Sequence, residues 1–398
     1  MSQPEARRRR RSREPRREEP RSPQQLVEDT VGEIVLRLPP DDPALLVRAS
    51  AVNKTWRRAV AEPSFPASYR AFHKKPPVLG IFRTDAILIP TTSFCPAAAG
   101  YRDCQVLDCR HGRVLLENLD CGDIDVWNPI TGDQYTLPEA PEDISLVCNG
   151  AVLCAAADDD CDHLACHTGP FLVALVGASA EGQIHACLYS SESGEWSGLT
   201  SIDLDYIAPD HFTTTCITVD VVPAALMENA LYFIGDFGNE ILKYEFDPEE
   251  PSLTAIDPPP GVETCCDGVV VMPEADGRLG FAYVEAHRLH MWSMQAGPDG
   301  NPQWEKRRVI PLELLLPPIR RASPYLTGFV HAINCIVVTT EDEVYTIELK
   351  SYKTRKICNK DMSYSGFLFT AFCIPDFAFV PPPPPGPPPP PPPAANED

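Results

Sequence analysis

The densest set of side chains able to do chemistry is Cys161, His163, Cys166 and His167, directly after the acidic run Asp158–Asp160. Thiolates and imidazoles are the donors that zinc gathers into a tetrahedron. The order C-x-H-x-x-C-H has only one two-residue gap, however, and Cys166 and His167 crowd each other. No second paired-cysteine motif lies within sequence reach. An acidic loop with scattered thiols is the simpler reading, and no metal or cofactor is expected. Glu285, His287 and His290 place two imidazoles three apart but lack the H-E-x-x-H order of a metalloprotease helix. Cys265 and Cys266 are neighbours and point to opposite sides of an extended chain. Cys104, Cys109, Cys121, Cys148 and Cys154 recur in β-like stretches, where a thiol packs as a small hydrophobe. There is no G-x-S-x-G, G-x-G-x-x-G or P-loop. Carboxylates abound, but abundance singles out no glycosidase-like pair. Intrinsic catalysis is not expected.

Composition bounds the elements that carry these residues. A chain of 398 residues holds two or three domains. Its formal charge of -22 is uneven: residues 1–24 carry nine Arg against four Glu, so +5, whereas residues 78–380 carry 17 basic and 44 acidic groups, so -27. The bulk of the chain is thus a poor partner for nucleic acid or an anionic membrane. No apolar run reaches the length of a membrane span. The amino-terminal arginines have no apolar run behind them, so no secretory signal is expected. Fifteen cysteines are then expected as reduced thiols, in the cytoplasm and/or nucleus.

Residues 1–24 are almost devoid of apolar side chains and are expected to be disordered. Arg7–Arg11 with Arg13, Arg16 and Arg17 read equally well as an import patch or a solvated arm. At the other end, 377–398 is a second disordered segment, in which twelve of the 44 prolines fall within 381–393. Such a run is an extended polyproline II rod, serving as a spacer or docking an aromatic-lined groove.

Residues 25–63 are the one strongly helical region, within a unit bounded at 25–65. Val27, Val31, Ile34, Val35 and Leu38 form a single apolar stripe. Thr30 and Glu33 have capping-box spacing, and Pro39-Pro40 ends the helix. Asp42-Pro43 opens a second short helix with Leu45, Leu46 and Ala49. Val52, Trp56, Ala59 and Val60 mark a third. Three helices in so few residues make a core that needs a partner surface.

The stretch LVEDTVGEIVLRLPPDDPALLVRASAVNKTWRRAV resembles an F-box, at Leu26, Asp29, Val31, Ile34, Leu36, Leu38, Pro39, Leu46, Val52, Lys54, Trp56 and Arg57. Val27 stands where that family usually has Pro, and Asn53 where it often has Cys. The following RAFHKKPPVLGIF resembles the junction of many plant F-box proteins, especially those of grasses. Residues 66–77 read as a linker.

From 78 to 376 short apolar runs alternate with Gly, Asp, Pro and Ser, which reads as an all-β domain. Leu231–Ile234 and Ile241–Phe246 look like one hairpin. VWNPITGDQYTL, LYSSESGEWSGL, EFDPEEPSLTAI and ELKSYKTRKI each carry a strand end, a polar turn and a return strand. Trp127, Tyr189, Phe246, Met294 and Leu349 are taken as equivalent positions of a repeat near fifty residues. That period points to a β-propeller of six or seven blades, with a pair of β-sandwiches as the alternative. The WNPITG segment resembles the F-box-associated β-propeller-like domains of plant F-box proteins.

The resemblance implies a non-catalytic substrate receptor of a cullin-based ubiquitin ligase. Its helical unit would bind a Skp-type adaptor, and through it cullin, using Leu26, Val31, Ile34, Leu38, Pro39, Leu46, Val52 and Trp56. Its β domain would bind a protein substrate, with a basic or neutral surface favoured by the charge. The alternative is a non-degradative scaffold working through the polyproline tail and the β domain.

Overall fold

The computed structural model describes residues 28–97, 101, 103–144, 146–156, 161–179, 183–202, 221–235, 240–247, 249–262, 268–297, 301–318, 323–359 and 366–375. Leu26, Asp158–Asp160, Cys265, Cys266, the arm 1–24 and the tail 377–398 lie outside the described residues. Four short helices come first: α1 (Glu28–Leu36), α2 (Ala44–Ser50), α3 (Lys54–Ala61) and α4 (Phe65–His73). The fourth occupies most of the stretch read as a linker. Phe65 and Tyr69 sit one turn apart and both bury, and Pro66 in the first turn sacrifices no helical hydrogen bond. No helix among the described residues is long and apolar enough to cross a membrane.

Among the described residues the strands after α4 all pair antiparallel, with three short 3₁₀ turns between them. Strands β1 (Val78–Arg83) and β2 (Leu88–Pro90) come first. Blade one follows as β3 (Cys104–Arg110), β4 (Arg113–Asn118), β5 (Ile124–Trp127) and β6 (Gln134–Thr136). Blade two is β7 (Leu146–Cys154), β8 (Phe171–Ala178), β9 (Ile184–Ser190) and β10 (Glu195–Trp196), with β11 (Thr200–Ile202) also on β9. Blade three is β12 (Ala225–Met227), β13 (Ala230–Gly235), β14 (Glu240–Glu245) and β15 (Ser252–Ile256). Blade four is β16 (Val269–Pro273), β17 (Leu279–Glu285), β18 (Arg288–Ala296) and β19 (Pro302–Pro311). Blade five is β20 (Tyr325–Val330), β21 (Cys335–Thr339), β22 (Glu343–Glu348) and β23 (Thr354–Asn359). Finally β24 (Gly366–Thr370) pairs with β1, so that a last blade of order β2-β1-β24 is assembled from both ends of the domain.

Among the described residues this makes six sheets, a six-bladed propeller. The first strand of blades one to five is innermost, as is β24 in the closing blade, and neighbouring inner strands meet at β3–β7, β12–β16, β16–β20 and β20–β24–β3. Gly268, just before β16, has φ +76°, and a Cβ there would stand 2.1 Å from the Leu326 carbonyl oxygen. Only glycine permits that approach of blades four and five.

The core is divided among the gaps between blades. Leu115 with Val173 fills one gap, Leu153 with Phe233 the next, Ile241 with Phe281 the third and Val284 with Ile336 the fourth. Val344 with Ile81, and Phe82 with Trp127, fill the two gaps beside the closing blade. No blade covers its own faces, which is why the sequence repeat must close into a ring. The hairpin read at Leu231–Phe246 is β13–β14, with Ile234 opposite Ile241. Trp127, Tyr189 and Met294 lie in the third strands β5, β9 and β18, and Phe246 and Leu349 directly follow β14 and β22.

Phe369 of β24 is fully buried, with its ring centroid 5.7 Å from Phe82 and 5.5 Å from Phe94. We expect Phe369→Ala to cost about 3–5 kcal/mol in urea unfolding. The exposed Leu314→Ala should stay within about 0.5 kcal/mol. Equal, small losses for both would mean that the closing blade does not hold the ring.

Candidate functional site

The helical unit is built on a small apolar core of Val31, Val35, Leu46, Ala49, Val60, Phe65 and Tyr69. Asn53, which departs from the usual F-box residue, is the N-cap of α3: its Oδ1 accepts from the Thr55 and Trp56 amides at 2.9 and 3.1 Å. The Tyr69 hydroxyl donates to the Leu38 carbonyl at 2.7 Å, and His73 Nε2 lies 3.1 Å from the Leu36 carbonyl. Both contacts tie the end of α1 to α4. Burial, with Asp41 adding to it, pushes the Tyr69 phenol well above its ordinary range, so it stays a donor.

These contacts sort the candidate adaptor residues. Val31 and Leu46 are buried core. Ile34, Leu38 and Trp56 are half-buried, Pro39 is exposed, and Val52 is 59% exposed. Leu26 lies outside the described residues. The apolar stripe is therefore split, because a unit this small needs part of it for its own core. Val47, at 49% exposure, was not singled out from sequence. It falls off the stripe, and only the packing of α2 reveals it as an accessible apolar side chain.

Phe372, Ile374 and Leu164 of the β domain complete the helical core. Asp41 pairs with Arg355 at 3.4 Å, and Lys75 pairs with Glu348. Ser93 Oγ donates to Asp42 and accepts from the Ala44 amide at 3.2 Å. Phe372 follows β24, Leu164 follows β7, Glu348 ends β22 and Ser93 follows β2. The helices thus rest on the end of the propeller where the inner strands finish. Antiparallel pairing sends β1, β4 and β19 the other way. That far end carries the exposed apolar side chains Ile87, Leu119 and Leu314.

Beneath the helices a cavity of about 280 Å³ opens at the channel mouth, bordered by Lys74, Arg110, His111, His163 and His331. Its floor is set by irregular inner strands. A register shift after Val106 in β3 and after Val147 in β7 admits the buried polar residues Asp108 and Asn149. Asp108 accepts from the Val152 amide at 3.0 Å and pairs with Arg110 at 3.3 Å. Asn149 Nδ2 donates to the Val222 carbonyl at 3.0 Å. The Asp108–Val152 and Asn149–Val222 contacts each cross from one blade to the next, whereas the Asp108–Arg110 pair lies within β3. Burial pushes the Asp108 carboxyl up, while Arg110 and the backbone amides pull it back. Burial, with Arg110 and neighbouring imidazoles, lowers His111 strongly and His331 to about 4. At neutral pH these rings are uncharged and weakly basic. In blade four, His290 lies 3.6 Å from Glu285 and stacks on Tyr283, a packed imidazole rather than a ligand set.

Tyr69→Phe should cost about 1–3 kcal/mol by leaving the Leu38 carbonyl unmet, read in chemical denaturation. Asp108→Ala should cost about 3–5 kcal/mol, because Arg110 stays buried without its counter-charge. A smaller loss in Asp108→Ala than in Tyr69→Phe would contradict this ordering.

Residues 24–67 match the F-box domain family, and residues 105–369 match the family described as F-box protein AT5G49610-like, beta-propeller. No curated protein matches the chain. Among solved structures, a PQQ-bound aldose sugar dehydrogenase from Streptomyces coelicolor aligns at 13% identity and TM-score 0.37, over 68% of this chain and 86% of that one. A Lactobacillus plantarum protein aligns at 13% identity and TM-score 0.35, over 66% of this chain and 71% of that one. Kluyveromyces lactis Hsv2 aligns at 10% identity and TM-score 0.34, over 64% and 63% of the two chains. Likenesses that distant add nothing to the sheets described above. With a helical F-box at its head and a matching propeller over most of its length, the chain belongs to the AT5G49610-like family of F-box β-propeller proteins.

Proposed function

We propose that this chain is the substrate-recognition subunit of a Skp-cullin-F-box ubiquitin ligase. The observation that carries the reading is a helical unit with two commitments. One set of its apolar side chains is used in a core shared with the propeller. Another set stays exposed at Pro39, Val47 and Val52 and half-exposed at Ile34, Leu38 and Trp56, of which Leu38 and Trp56 also rest against the core. An accessible apolar set on a marginally sized unit is what a partner protein would cover. The partner is a Skp-type adaptor, as the F-box family match supports.

On this reading the chain makes and breaks no bonds. It holds a substrate lysine near the ubiquitin thioester and so raises its effective concentration. The substrate docks on the end of the propeller away from the helices, where rigid strands carry variable loops. The formal charge of -27 over residues 78–380 (17 basic against 44 acidic groups) favours a basic or neutral protein surface there and disfavours nucleic acid. The cytoplasm and/or nucleus, where such ligases would meet soluble substrates, is the proposed location.

Capture of the full chain by a Skp-type adaptor tests the interface. Val52→Glu should reduce capture at least tenfold while leaving the thermal midpoint unchanged, since Val52 is 59% exposed. Leu38→Asp should act in the same direction. Val31→Asp should unfold the helical unit instead, because Val31 is 1% exposed. Undiminished capture by folded Val52→Glu and Leu38→Asp would reject the interface.

A further inference from the structure

The connection between β7 and β8 covers residues 155–170, far longer than an ordinary hairpin loop, and among its described residues one short 3₁₀ turn (Cys166–Thr168) interrupts it. Leu164 is what its described residues contribute to the helical core. Folded into this connection, Cys161, His163 and Cys166 meet Cys154, the last residue of β7. Their ligating atoms all lie within 4.8 Å of one another. Cys154 Sγ is 3.8 Å from Cys161 Sγ, and Cys166 Sγ is 3.8 Å from His163 Nδ1. Two thiolates at about 2.3 Å from one zinc ion stand about 3.8 Å apart in a tetrahedron. His167, which crowds Cys166 in sequence, is not a member of the group. Its backbone carbonyl instead accepts from Asn128 Nδ2 at 3.3 Å.

A second feature aims at the same place. Arg113 is 2% exposed, with its guanidinium 5.2 Å from the Phe171 ring. One terminal nitrogen donates to the Gly169 carbonyl, and the other, Nη1, meets no oxygen acceptor among the described residues, the Cys166 thiol being the side chain it lies against. No described carboxylate pairs with it; the groups that act on it electrostatically are Cys166 and Cys154. A buried guanidinium that faces thiols and no carboxylate lacks an evident counter-charge. A zinc ion with three thiolates and one imidazole carries one net negative charge, which Arg113 would balance as an outer-shell cation.

The geometry points to a structural zinc site formed by Cys154, Cys161, His163 Nδ1 and Cys166. Three soft sulfur donors and one imidazole select zinc over magnesium or calcium. All four positions are filled by protein, so the site holds structure and leaves no open position for catalysis. Binding releases the thiol protons and fixes residues 161–170 beneath the helices, with Leu164 seated in their core.

The test is metal analysis of the full chain, purified under reducing conditions without a histidine tag and equilibrated with zinc. One zinc per chain is expected. Cys154→Ser and Cys166→Ser should each fall below a tenth of that, and His167→Ala should retain it. No bound zinc in the parent chain, or full retention in folded Cys154→Ser, would overturn the site. If the serine variants fail to fold, cobalt substitution of the parent chain decides. Intense tetrahedral d–d bands with thiolate-to-cobalt charge transfer support the site, and a weak octahedral spectrum rejects it. A Cys154–Cys161 disulfide found by mass spectrometry in the reduced preparation would also reject it.

Discussion

The pairing of β24 with β1 is the contact on which the rest of the molecule depends. Each blade is a small sheet with apolar side chains on both faces, and those faces are covered only by the neighbouring blades. An open row of blades would leave two such faces in water, at about 25 cal/mol for each Å² of apolar surface. Closing the row requires the last described strand to enter beside the first. The helices are tied to the same seam, because they precede β1 directly while Phe372, just beyond β24, enters their core. Ring closure and attachment of the helical unit are thus one packing event.

Much of this architecture was legible in the sequence because its signals are local. Polar turns after strands at Trp127, Tyr189 and Phe246 recur because each ends a third strand, and a third strand must always turn back toward the rim. Asn128 shows the device: its Oδ1 accepts from the Ile130 and Thr131 amides and sets the turn. The sixth blade escaped that pattern because its strands come from distant parts of the chain, so no single window contains it. The fourth helix was hidden for a different reason. Phe65 and Tyr69 make too short a stripe to stand out, and their helix is stabilised by Leu38 and Phe372, which are remote in sequence.

The functional residues divide along the same line. Apolar periodicity marks candidate interface residues but not which of them a small core will consume: Val31 is buried in α1, whereas Val52, read as part of the third helix, lies exposed in the turn before α3. The thiol cluster was visible only in part. Cys161, His163 and Cys166 are neighbours in sequence, but Cys154 belongs to a strand, where alternation makes it read as packing. Asp108, Asn149 and Arg113 gave no sequence signal, since their burial depends on strand register and on the adjoining blade.

Phe372 in the helical core has a consequence for the order of synthesis. The helices leave the ribosome roughly three hundred residues before Phe372, which at about 5–20 residues per second is a delay of tens of seconds. Through that interval the helical core lacks an aromatic ring that packs edge-on against Tyr69 at 6.1 Å. A chain cut short anywhere in the propeller carries the complete F-box sequence without the complete F-box core. The fold therefore ties the finished state of its first element to the translation of one of its last.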